Sequence, residues 1–172
     1  MSILNQKTIN KPISINGKGL HTGKSVEITL LPSEPNSGIV FKRIDLKEKN
    51  IIFPKYDNVT DTTLCTTISN EFGAKVSTIE HLMGALYGLG IDNLLIEVNS
   101  QELPILDGSA KEFVNKILSA GIKNSSIPIK LIKINMLALL ILKVVVTKME
   151  IQCSCLQVYQ LMEMSGHSQT HR

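Results

Sequence analysis

Apolar and polar residues alternate through Ser25–Leu31, where Val26, Ile28 and Leu30 are separated by Glu27 and Thr29. This period of two predicts a half-buried strand. The run Ser37 to Leu46 predicts another, reached through the turn-rich link PSEPNSG. DTTLCTTIS and AKVS flank NEFG and predict a hairpin, and Asn93 to Val98 predicts a further strand. Between these, Ile79, Leu82, Met83 and Leu86 recur at helical spacing, as do Phe113, Val114, Ile117 and Leu118. Each predicted helix opens on a serine three residues before a glutamate, Ser77/Glu80 and Ser109/Glu112, the spacing of a capping box. Asp107 sets the turn into the second helix, and Gly121 stands where a C-cap glycine belongs. These signals agree with one another, as they do in a selected fold. They predict an α+β domain over residues 1–126, a two-layer sandwich of a mostly antiparallel sheet with two helices.

The agreement ends near residue 134. The following stretch, NMLALLILKVVVTKMEIQCSCLQVYQLMEMSGHSQTHR, lacks Asp and has a single glycine, Gly166. Acidic and basic side chains nearly balance up to residue 121, whereas basic ones dominate beyond it. Residues 127–172 therefore read as the start of a second domain followed by a divergent apolar tail. A frameshift is the expected origin, which would leave a truncated, inactive form; the alternative is a genuine but unusual C-terminal segment. Val144 to Val146 in the tail predict a tendency to aggregate.

A net charge of +3, with Arg43 and Arg172 as the two arginines and no block of basic residues, argues against nucleic acid. Cys65, Cys153 and Cys155 are odd in number and lack framework spacing, which favours a reducing compartment. The N-terminus lacks a signal pattern, and the longest apolar run, Met136 to Leu142, is too short to span a bilayer. The expectation is a soluble cytoplasmic protein of open oligomeric state.

Glu80 and His81 stand together at the head of the first predicted helix. One reading is structural: Ser77 caps the helix and Glu80 reaches back to its amide. The other is chemical. On a wheel of roughly 100° per residue, His81 points away from the apolar stripe, with Gly84, Ala85 and Gly88 beside it and Glu80 at the edge. A solvated face carries Lys, Glu or Gln, and mid-helix glycines cost about 1 kcal/mol each. Another layer, domain or ligand is therefore expected against this face. An imidazole there suits a metal and an adjacent carboxylate suits a general base, but a catalytic zinc takes three protein ligands. No HExxH is present, and His167 and His171, spaced i, i+4, lack a third partner.

The stretches GKGLHTGKSVEITLLP, DTTLCTT, STIEHLMGALYGLGIDNLLIEV and ELPILDGSAKEFV resemble, in family order from about Thr8 to Ile134, the N-terminal domain of the UDP-3-O-acyl-N-acetylglucosamine deacetylases. The resemblance implies a zinc-dependent hydrolase of lipid A biosynthesis in Gram-negative bacteria, removing the N-acetyl group of UDP-3-O-(3-hydroxyacyl)-N-acetylglucosamine. It implies two similar α+β domains whose helices face each other across the active site. It casts His81 as a zinc ligand and Glu80 as the general base. The other ligands, a His and an Asp, would come from the second domain, and no segment here matches them, so the ligand set is incomplete. Leu64 and Cys65 would lie on a strand beside the metal cleft, and His21, in a glycine-flanked loop, would approach the UDP-acyl-glucosamine substrate. For Cys65 a small buried hydrophobe remains open, and for His21 a turn residue. The competing function is a non-catalytic α+β module that pairs through the Gly84/Ala85/Gly88 face.

Overall fold

The computed structural model describes residues 4–129, so the expectations for the tail lie outside the described residues. Its strands are β1 (Asn5–Ile9), β2 (Ile13–Lys18), β3 (Ser25–Pro32), β4 (Ile39–Arg43) and β5 (Ile51–Ile52), a 3-10 turn at Tyr56–Asn58, then β6 (Val59–Asp61), β7 (Thr67–Ser69) and β8 (Lys75–Val76). Helix α1 (Glu80–Leu89), β9 (Leu94–Val98), α2 (Lys111–Ala120) and β10 (Ile122–Pro128) follow.

The main sheet has the order β2-β3-β9-β4-β5. Its pairs are antiparallel except β4 with β9, which run parallel. The alternation seen in sequence becomes one apolar face: Ile28 and Leu30 of β3 lie opposite Val98 and Ile96 of β9, and Phe41 of β4 pairs with Ile96 on the other side. All are fully buried, in one cluster with Leu82, Ala85 and Leu86 of α1 and Phe113 and Ile117 of α2. The α+β class and the mostly antiparallel sheet expected from the sequence are therefore present.

Two smaller sheets complete the fold. β1 pairs with β10, and β6, β7 and β8 form a three-stranded unit. The Arg43 guanidinium, itself buried, clamps Asp45 with two bonds of 2.8 and 2.6 Å and donates to the Lys75 carbonyl, joining β4 to β8. β1, β2 and β10 had no expectation from the sequence, because their apolar residues are sparse and their pairing partners distant.

Several local expectations are corrected. Neither capping box forms. Helix α1 starts at Glu80 with Ile79 as N-cap, and α2 starts at Lys111 with Ala110 as N-cap, neither with a side-chain cap. On α2, Leu118 is 53% exposed, and Ala120 takes its place on the buried stripe. On α1, Ala85 is buried in the core rather than lying beside Gly84 and Gly88 on an outer face. Gly121 does follow α2, at φ +78°. Among the described residues no helix is long and apolar enough to cross a membrane.

Candidate functional site at the head of the first helix

The segment leading into α1 is tied to a distant part of the chain. Ser77 N–H donates to the Gln101 carbonyl at 2.9 Å, Leu103 N–H donates to the Ser77 carbonyl at 3.1 Å, and the Ser77 hydroxyl donates to Gln101 as well. Ser77 is thus an edge residue in a short parallel bridge with Glu102, not a helix cap. Thr78 follows at φ +57°, a conformation a β-branched residue adopts only under constraint from its surroundings. This kink turns the chain into the helix.

Glu80 and His81 emerge from it. One carboxylate oxygen of Glu80, Oε1, accepts a hydrogen bond from the Thr66 amide, in the loop between β6 and β7. The other, Oε2, is shielded from solvent and has no partner. His81 is half-buried, and its Nδ1 is likewise shielded and unpartnered. These are the two such side-chain atoms among the described residues. Leaving a buried polar atom unpaired costs about 1–3 kcal/mol, and native folds rarely tolerate it without a use. The expectation that Glu80 bonds back to Ser77 is therefore corrected, since the carboxylate turns to the β6–β7 loop instead.

Leu64 and Cys65 sit in that loop and not on a strand, because β7 begins only at Thr67. Leu64 is 81% exposed. Cys65 is a free thiol, half-buried, with its sulfur 3.9 Å from the Thr67 hydroxyl. His21 is exposed, and its amide donates to Glu102. The structure brings His21, Leu64 and Cys65 together around one pocket of about 440 Å³, shared with Asp61, Lys75 and Glu102. Glu80 and His81 do not line it, but Glu80 bonds the amide of Thr66, which stands between the lining residues Cys65 and Thr67. On α1, Gly84 and Gly88 have open space where a side chain would stand, and Tyr87 is 74% exposed.

Glu102 had no part in the sequence reading. It is fully buried, and its carboxylate accepts from the amides of His21 and Thr22 at 2.9 Å each and from the Thr78 hydroxyl at 3.2 Å. Burial alone raises its pKa, yet the bonds from His21, Thr22 and Thr78 outweigh that and hold the carboxyl below its ordinary range. The only signal in sequence was a glutamate lodged against Leu103 and Pro104. No group of three or more His, Cys, Asp or Glu able to hold a metal occurs among the described residues.

The α+β domain thus presents an unpaired carboxylate oxygen and an unpaired imidazole nitrogen on adjacent residues at a helix start. Comparison with known proteins shows the family. The family described as UDP-3-O-acyl N-acetylglycosamine deacetylase (LpxC) matches residues 6–160, and the chain belongs to that family. The UDP-3-O-acyl-N-acetylglucosamine deacetylase of Haemophilus influenzae (strain PittEE) is 47% identical over 133 residues, 77% of this chain and 43% of the relative. That of Shewanella baltica (strain OS155) is 48% identical over 129 residues, covering 75% and 42%. The chain thus spans less than half the length of the curated relatives it matches. The family match runs past residue 134, whereas the alignments with these relatives cover 133 and 129 residues.

Proposed function

We propose that this chain carries one side of the catalytic site of a zinc-dependent deacetylase acting on UDP-3-O-acyl-N-acetylglucosamine, with Glu80 as general base and His81 as a metal ligand. The observation that supports it most is the pair of shielded, unpartnered atoms on adjacent residues, Glu80 Oε2 and His81 Nδ1. The donor chemistry fits zinc as one ligand of several, since an imidazole is a usual zinc ligand and no protein hydrogen bond claims Nδ1. The remaining ligands, a His and an Asp by the family resemblance, match no segment of this chain. Zinc, when bound, supplies a Lewis acid that acidifies water and polarises a carbonyl.

The chain's own residues do the following. The Thr66 amide holds Glu80 Oε1, which fixes the carboxylate and leaves Oε2 free to take the proton of a water attacking the acetyl carbonyl. His21, Leu64 and Cys65 border the pocket through which the substrate approaches, with Leu64 offering an apolar contact. The free thiol of Cys65 suits a reducing, cytoplasmic setting. A second reading, a non-catalytic module docking another polypeptide on α1, is favoured by the open face at Gly84 and Gly88.

A chimera separates the two. Residues 1–129 of this chain would be joined to the remaining part of the Haemophilus relative, and zinc content and acetate release measured. The deacetylase reading expects turnover that Glu80→Gln lowers by about a hundredfold or more with zinc retained, and zinc loss on His81→Ala. Unchanged turnover in both variants would overturn the assignment, and a folded chimera without zinc or turnover would favour the docking module. The present chain alone, with a single ligand, is expected to release no acetate.

A further inference from the structure

Glu102 connects two segments that the sequence keeps far apart. One is the glycine-flanked loop of His21, and the other is the Thr78 kink that launches Glu80 and His81. The carboxylate is filled from both sides: two amides come from the loop and one hydroxyl from the kink. The loop is pressed against it so closely that a Cβ on Gly19 would lie 2.4 Å from Glu102 Oε2 and 2.5 Å from the Thr22 hydroxyl. Glycine at position 19 is therefore a condition of the contact, not of a turn. On the other side, residues 101–103 run as a splint along Ser77, through the bonds to Gln101 and Leu103. Thr78 keeps its positive φ while its hydroxyl is held by the same carboxylate.

We infer that Glu102 is a positioning residue: its buried carboxylate sets the placement of the His21 loop relative to the helix start that presents Glu80 and His81. The inference rests on the reading of Glu80 and His81 as the working pair. Glu102 touches neither; it acts through Thr78, two residues before Glu80, and through the backbone of His21. A carboxylate suits this task because it only accepts, and the His21 and Thr22 amides and the Thr78 hydroxyl all donate to it. An amide in its place turns a donor toward one of them.

The test uses the full chain, without metal or substrate, and reads NMR spectra and amide hydrogen exchange. In Glu102→Gln, exchange at the His21 and Thr22 amides should rise by about tenfold or more, while Ile96 in the central strand β9 stays unchanged. Thr78→Val removes only the hydroxyl arm. It should nonetheless shift the His21 and Thr22 amide resonances, together with the imidazole signals of His21 and His81, because the carboxylate transmits the change. Equal acceleration at Ile96 would reduce Glu102 to general support of the fold and overturn the inference. So would a Thr78→Val spectrum in which His21 and Thr22 stay in place, and this second variant decides alone if Glu102→Gln does not fold. Since no metal or turnover is read, failure here leaves the assignment of Glu80 and His81 standing, and failure of that assignment leaves this coupling intact.

Discussion

The two helix starts carry the same local sequence pattern, a serine three residues before a glutamate, and they fold differently. At α2 the work is local and exposed. Asp107 accepts from the Ser109 amide and hydroxyl, Ser109 in turn accepts from the Lys111 amide, and Glu112 is left in solvent. At α1 nothing is local. Ser77 is bridged to Gln101 and Leu103, Thr78 is bonded to Glu102, and Glu80 is taken by Thr66. One start is a turn that builds itself from neighbouring residues. The other is held by two distant segments, residues 101–103 and Thr66, and it retains two unpaired buried atoms that a self-sufficient helix start would have satisfied. The difference teaches that one local pattern leaves open whether a helix start is built by neighbouring residues or by distant segments.

The largest expected contrast lies in packing. Leu82→Ala in α1 removes a fully buried side chain and should cost about 2–5 kcal/mol. Leu118→Ala in α2, at a position the apolar pattern alone would have buried, should cost no more than about 0.5 kcal/mol. Chemical denaturation of the two variants measures both, and similar losses would mean that Leu118 has a covering partner.

A smaller contrast separates the glutamates. Glu80→Gln removes a charge whose Oε2 is buried and unpaired, so it should stabilise the fold by about 1 kcal/mol while abolishing the proposed base. Glu112→Gln, on an exposed position, should stay within about 0.5 kcal/mol of the parent. Melting curves of the two variants check this; destabilisation by Glu80→Gln would show that the charge is already paired.

The smallest contrast is in acid. Glu102 beside the α1 start and Asp107 beside the α2 start both have pKa values held below the ordinary range, Glu102 by hydrogen bonds that outweigh burial, Asp107 foremost by the Ser109 hydroxyl. A depressed folded pKa gives stability that is fully present above the unfolded value and lost as pH falls through the folded one. For Glu102 that window lies below the usual glutamate range. Glu102→Gln should therefore flatten the acid limb of a melting-temperature profile. Asp107→Asn should leave it nearly unchanged, because solvent screens an exposed carboxylate. An identical acid limb in parent and Glu102→Gln would remove Glu102 from the acid response.

The main sheet was legible to the extent that its strands follow their own periodicity: β3 and β9 fall within a residue of the expected Ser25–Leu31 and Asn93–Val98. The small β1–β10 and β6–β8 units were less so, since strands of two to seven residues with few apolar positions draw their identity from their partners. Of the candidate site, Glu80 and His81 were visible as a pair, and His21, Leu64 and Cys65 as motif members. That these last three border one pocket, that Glu80 binds the Thr66 amide, and that Glu102 joins two sides of the site were not visible.

By itself, then, the sequence determined the elements whose signal is periodic, because hydrophobic burial acts along one strand or one helix face and leaves its spacing in the chain. It also determined which residues bear reactive groups. The tertiary structure alone decided what those groups face. Thr78 takes a positive φ with its hydroxyl held by Glu102, 24 residues on. His21 is anchored by the same carboxylate from 81 residues away. Hydrogen bonds of that reach leave no period in the sequence, since they are set by which loops the packed sheet and helices bring to one place.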